Sequence, residues 1–152
     1  MNRFIATALA AFVVASPSTA TPPRPPVEHF GRPALNGQAL PFSDAVRVGD
    51  VLYLSGQIGI GGDGKLPDGI EAQAKQAMDN IGAVLKRAGL AYADVFHCTA
   101  FLADMKDWPA FNKVYVPYFP AGAMPARSAF GANGLALGAR LEIECQAYAG
   151  KK

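Results

Sequence analysis

The stretch DGIEAQAKQAMDNIGAVLKRAGLAYADVFHCTAFL, residues 68–102, changes its apolar period part-way along. Over 68–88, Ile70, Ala74, Ala77, Met78, Ile81, Val84, Leu85 and Ala88 recur at three- and four-residue spacing. That spacing gathers them into one stripe of an amphipathic helix. Asp68 is read as its N-cap and Gly89 as the C′ residue that ends it. Over 94–102 the period becomes two. Phe96, Cys98, Ala100 and Leu102 share one strand face, and Val95, His97, Thr99 and Phe101 the other. Met78 is read as core filling.

Upstream, 45–48 and 51–55 are strand-like runs on either side of Gly49-Asp50, the pattern of a tight β-hairpin. Structure is expected to begin near Ala39. Gly61-Gly-Asp-Gly has the glycine content of a phosphate cradle, but no Gly-Lys-Ser/Thr follows it, so it reads as a turn. Downstream, Asp107-Trp-Pro opens a second helix with the aspartate as N-cap and the proline early in the first turn. Phe111, Val114, Tyr115 and Tyr118 form its stripe, and Pro117 ends or kinks its last turn. Two strands, 127–130 and 141–148, complete the chain. The order β-β-α-β-α-β-β alternates only in part, which predicts an α+β fold with a mixed sheet and both helices on one face.

A length of 152 residues suits a single domain. With 51% hydrophobic and 17% charged residues the chain can build a core. The net charge of +2 is scattered, without the basic stripe that nucleic acid demands. Residues 1–20 have the pattern of a secretory signal peptide: Arg3, an apolar run over 4–14, and small residues Ser18 and Ala20 before the cleavage point. The run is too short to span a bilayer, so no stable membrane association is expected after processing. Residues 21–38 form a proline-rich extension and 39–150 the folded domain. The expected location is periplasmic or secreted.

Two residues stand out chemically. Arg127 carries a permanent forked charge suited to carboxylates. Glu142, in an alternating strand, can accept or deliver a proton. Their other reading is a salt bridge between neighbouring strands. His29 and His97 make no zinc pattern. Ser128 lacks the Gly-x-Ser-x-Gly setting of a nucleophile. Cys98 and Cys145 are compatible with a disulfide or with two buried thiols.

The run of Pro41-Phe-Ser-Asp-Ala-Val, Leu54-Ser-Gly-Gln-Ile, Ala77-Met-Asp-Asn-Ile, Phe101-Leu-Ala-Asp-Met, Phe111-Asn-Lys-Val-Tyr, Pro125-Ala-Arg-Ser and Leu141-Glu-Ile-Glu resembles the Rid/YjgF family of enamine/imine deaminases. The resemblance covers about residues 40–148. It implies a chorismate-mutase-like fold and a homotrimer whose inter-subunit clefts take small 2-imino or 2-keto acids. By the same resemblance, Arg127 pairs with the substrate carboxylate and Glu142 stands by the hydrolytic water. Ser55 and Gly56 line the cleft, and Asn112 lies near it. Two positions depart from the family: Phe42 replaces a common tyrosine, and Ala129 replaces a common cysteine. The implied reaction is hydrolysis of an imino acid to a keto acid and ammonia, with no metal and no organic cofactor. A non-catalytic acid-binding or chaperone-like trimer, and an endoribonuclease, are the alternatives.

Overall fold

A computed structural model of the chain describes residues 23–32 and 39–150; the expected signal peptide lies outside them. Strands β1 (Val27–Phe30), β2 (Ala45–Val48), β3 (Val51–Leu54), β4 (Gln57–Ile58), β5 (Val95–Leu102), β6 (Ala126–Gly131) and β7 (Leu141–Tyr148) form one sheet, joined by helices α1 (Ile70–Arg87) and α2 (Trp108–Tyr115). The sheet runs β1-β2-β3-β7-β5-β6, with β4 also pairing with β7. The β5–β6 pair is parallel and the other pairs are antiparallel, so the sheet is mixed as expected.

Both helices pack on one face. From α1, Ala74, Ala77, Met78, Ile81, Val84 and Leu85 are buried. From β5 and β7, Cys98, Ala100, Leu102, Leu141, Ile143 and Ala147 join them in the core together with Phe111 and Tyr115 of α2. Full burial of a side chain such as Ile81 or Leu85 is worth about 1.5–3 kcal/mol, so this stripe is what holds the helix to the sheet. The opposite face carries Tyr53, Phe130 and Glu144, with no helix over them.

Several local expectations need correction. The sheet begins at Val27, inside the proline-rich extension rather than near Ala39, because β1 supplies backbone partners to the outer edge of β2. Gly69, with φ 81°, occupies the N-cap of α1 in place of Asp68. Asp107 makes no capping bond. Its carboxylate instead accepts from Arg140 Nε and Nη2, each at 2.9 Å. In β5 a register shift between Val95 and His97 returns Val95 to the core side and leaves Phe96 exposed, so strict alternation fails at that end. The Gly49-Asp50 hairpin forms as read, with Gly49 at φ 58°. Gly89 ends α1 at φ 73°. After Tyr115 the chain tightens into a short turn over Val116–Tyr118, as Pro117 requires.

Cys98 and Cys145 are direct partners across β5 and β7 and form a disulfide with both residues buried. The register of two adjacent strands decides what 47 residues of sequence separation left open.

Candidate active site

Glu142 owes its position to the alternation of β7. Leu141 and Ile143 point into the core, so Glu142 points to the face without helices. It lines a cavity of about 290 Å³ together with Arg32, Phe42, Gly56, Ile58 and Leu137. Its carboxylate lies against the backbone of Gly56. A Cβ there would overlap Oε1 and stand 2.7 Å from Cδ, so only glycine leaves room for the acid. Burial, and then the neighbouring charge of Glu144, push the Glu142 pKa above the ordinary glutamate value.

Arg127 lies on β6 beside Cys98 of β5, on the helix-covered side. Its Nη2 donates to Asn112 Oδ1 at 2.7 Å. Ala129, two residues on, shares that face and packs against the core. Burial pushes the Tyr115 phenol up to about 12, partly offset by the Arg127 charge.

One chain therefore holds two separate clusters of these residues. Phe42, Gly56 and Glu142 meet at the cavity; Arg127, Asn112 and Ala129 meet beside α2. Ser55 belongs to neither group: its hydroxyl donates to Ser43 O at 2.7 Å. The salt-bridge reading of Arg127 and Glu142 is corrected by topology. β6 and β7 are not neighbours, because β5 runs between them, and the two side chains leave opposite faces of the sheet. Ion pairs among the described residues include Arg32–Asp44, Arg87–Asp44, Lys75–Asp79 and Arg140–Asp107, and none of these joins Arg127 to Glu142. Among the described residues no group of three His, Cys, Asp or Glu could hold a metal ion.

Sequence reasoning missed several residues of this region. Arg32 reaches the cavity wall from the extension. It is held there by Asp44, whose two oxygens accept from Arg32 Nε at 2.8 and 3.0 Å and which also bonds Arg87. Leu137, another lining residue, has φ 58° and is the only non-glycine with positive φ among the described residues. Trp108 and Tyr115 flank Arg127, and their shared face with Asn112 was visible in the i, i+4, i+7 spacing.

The family described as endoribonuclease L-PSP matches residues 34–149. The 2-iminobutanoate/2-iminopropanoate deaminase of Mus musculus is 43% identical over 112 residues, covering 72% of this chain and 82% of that protein. Among solved structures, the yeast protein YEO7 superposes with a TM-score of 0.75 at 32% identity, covering 82% of this chain and 100% of that one. RidA from an Antarctic Psychrobacter superposes with a TM-score of 0.69 at 35% identity, covering 72% and 89%.

Proposed function

The chain belongs to the endoribonuclease L-PSP family, the Rid/YjgF family of its sequence motifs, and on that footing we propose that it hydrolyses 2-imino acids to 2-keto acids and ammonia. The reaction takes place in a cleft between subunits of a homotrimer. Arg127 and Asn112 of one chain face the Glu142 cavity of the next. The observation that carries this reading is the seating of Glu142: a carboxylate without an ion-pair partner among the described residues, set on Gly56, in a cavity, with a raised pKa. Both half-sites exist in each chain, and a neighbour supplies what each lacks.

The carboxylate of the imino acid takes a charge-assisted fork from Arg127. This leaves the C=N carbon above Glu142. The glutamate accepts a proton as water adds to that carbon and returns it to nitrogen; it then relays the proton of the new hydroxyl to the amino group, so that the C=O bond forms as the C–N bond breaks and ammonia leaves. Burial and the Glu144 charge raise the pKa of Glu142 and so make it a stronger proton acceptor than an ordinary glutamate. Positioning and electrostatics supply the acceleration. The mouse relative, by its name, acts on 2-iminobutanoate and 2-iminopropanoate, which fits a cavity of this size.

The test is ammonia release from freshly generated 2-iminopropanoate by the processed protein, with its mass in solution measured by light scattering. Turnover by a trimer is expected. A fully active monomer would contradict the shared cleft. A second reading, a trimer that binds small acids without turning them over, is favoured by Phe42 in the cavity wall, where no hydroxyl is available. It predicts 2-keto acid binding without ammonia release.

We propose also that residues 1–20 direct export and are cleaved after Ala20. The buried Cys98–Cys145 disulfide suits an oxidising compartment. Intact mass of the exported protein checks both: it should lack residues 1–20 and show no alkylatable thiol under denaturing, non-reducing conditions.

A further inference from the structure

Four side chains of α2 converge on Arg127. Its Cζ stands 4.5 Å from the ring centre of Tyr115, 4.7 Å from Trp108 and 5.3 Å from Phe111. All three lie within the range of cation–π attraction. Asn112 holds Nη2 through its amide oxygen. Positions 108, 111, 112 and 115 fall on one helical face, so α2 presents this set as a unit. The rings brace one another, with Trp108–Phe111 centres at 6.2 Å and Phe111–Tyr115 at 5.4 Å.

The chemistry of the set matters more than its tightness. Every partner of the guanidinium is neutral, and no carboxylate pairs with it among the described residues. Arg32, Arg87 and Arg140, by contrast, each bond an aspartate. A carboxylate partner would neutralise the charge of Arg127. Ring faces and an amide oxygen hold the cation in place and leave its charge for an incoming anion. The same cluster contains the buried side-chain polar atoms that lack a partner among the described residues, Arg127 Nη1 and Tyr115 Oη. Unpaired buried polar atoms are uncommon in native proteins and ask for an explanation; here both sit at one proposed binding group.

We infer that Trp108, Phe111 and Tyr115 form an aromatic positioning cage that holds Arg127 charged but unneutralised for the carboxylate of the ligand. The inference rests on the reading of Arg127 as the carboxylate anchor and adds the residues that make it one. They act through Arg127 and are positioning residues, not catalytic ones.

Trp108 offers the cleanest test, because it is partly buried at the rim of the core, whereas Phe111 and Tyr115 are fully buried. Trp108→Phe keeps a ring face. Trp108→Leu keeps apolar bulk and loses the ring. Calorimetric titration with 2-oxobutanoate, a 2-keto acid probe, should give a Kd for Trp108→Leu raised about fivefold to tenfold, the size of one cation–π contact. Trp108→Phe should stay within about twofold to threefold of wild type. In turnover of 2-iminopropanoate the loss should fall on KM, with kcat nearly kept. Thermal melts should coincide for the two variants. The guanidinium Nε–H proton of Arg127 should also lose ring-current shielding in Trp108→Leu and recover most of it in Trp108→Phe. If Leu and Phe variants bind the probe as wild type does, or both lose affinity equally, the cage is overturned, whatever the turnover. If wild type binds the probe and Trp108→Leu does not, while no ammonia is released by either, the deaminase reading fails and the cage stands.

Discussion

Asp44, in the bend just before β2, and Glu142, on β7, are two carboxylates with opposite surroundings. Asp44 is fully buried and receives Arg32 and Arg87, and its backbone oxygen accepts from Ser55 N at 2.9 Å. Burial alone would push its pKa up, but the hydrogen bonds and charges of the two arginines outweigh it and hold the pKa below the ordinary aspartate value. Glu142 is half-buried and makes no ion pair among the described residues; burial and Glu144 raise its pKa. The first acid ties the extension to α1 and the sheet. The second is left short of partners beside a cavity. A buried acid whose charge is matched serves the fold, and one whose charge is not matched is a candidate for proton transfer.

The largest test of this contrast is Glu142→Gln. It keeps shape and removes the base, and should lower kcat by about 10²–10⁴-fold. The urea midpoint at neutral pH should hold or rise, since an unmatched buried charge is gone. Asp44→Asn should do the reverse. It strips a buried acceptor from charged donors and should cost about 2–3 kcal/mol in urea melts, with kcat nearly unchanged. A large kcat loss in Asp44→Asn, or a large stability loss in Glu142→Gln, would break the comparison.

Acidity separates the two more finely. The folded pKa of Asp44 is depressed, so its stabilisation is complete above the ordinary aspartate value of about 3.9 and is lost as pH falls through the lower folded value. For Glu142 the folded pKa is raised. Its contribution to stability therefore falls as pH rises from the ordinary value of about 4.3 through the folded one. Urea midpoints against pH should lose the acid limb in Asp44→Asn and the higher-pH decline in Glu142→Gln. The acid limb of kcat/KM should lie above the ordinary glutamate range, and Glu144→Gln should move it down, because the Glu144 charge contributes to the raised value.

The smallest effect concerns the cavity wall. Leu137 has 70% of its surface exposed yet holds φ 58°, a conformation that costs a leucine about 1–2 kcal/mol. Leu137→Asn tolerates that backbone better and should gain about 0.5–1 kcal/mol by thermal or urea melts. A matching loss in kcat/KM would show that the wall at 137 shapes the ligand site.

Much of the fold was legible because it is written in local periods. The α1 stripe, the β2–β3 hairpin, the second helix and β7 follow from side-chain spacing that backbone geometry imposes. Failures fell where a distant partner outweighed a local preference. Asp107 was drawn from its capping role by Arg140, and β1 exists because the edge of β2 offers unpaired backbone groups. In the candidate site, Arg127 and Glu142 were legible as residue types in a familiar run of motifs. Their separation was not, since parity along β6 and β7 says nothing of the strand between them.

By itself the sequence determined the family, the α+β class, the helix-covered face and the acid and base types available for chemistry. The family rests on seven short motifs in order along the chain, and the others depend on neighbours a few residues apart. Only the tertiary structure decided the Cys98–Cys145 pair, the Asp44 junction, the contact of Glu142 with Gly56 and the ring cage around Arg127. Each of those depends on strand order and register, which bring together residues whose separation in the chain carries no local signal.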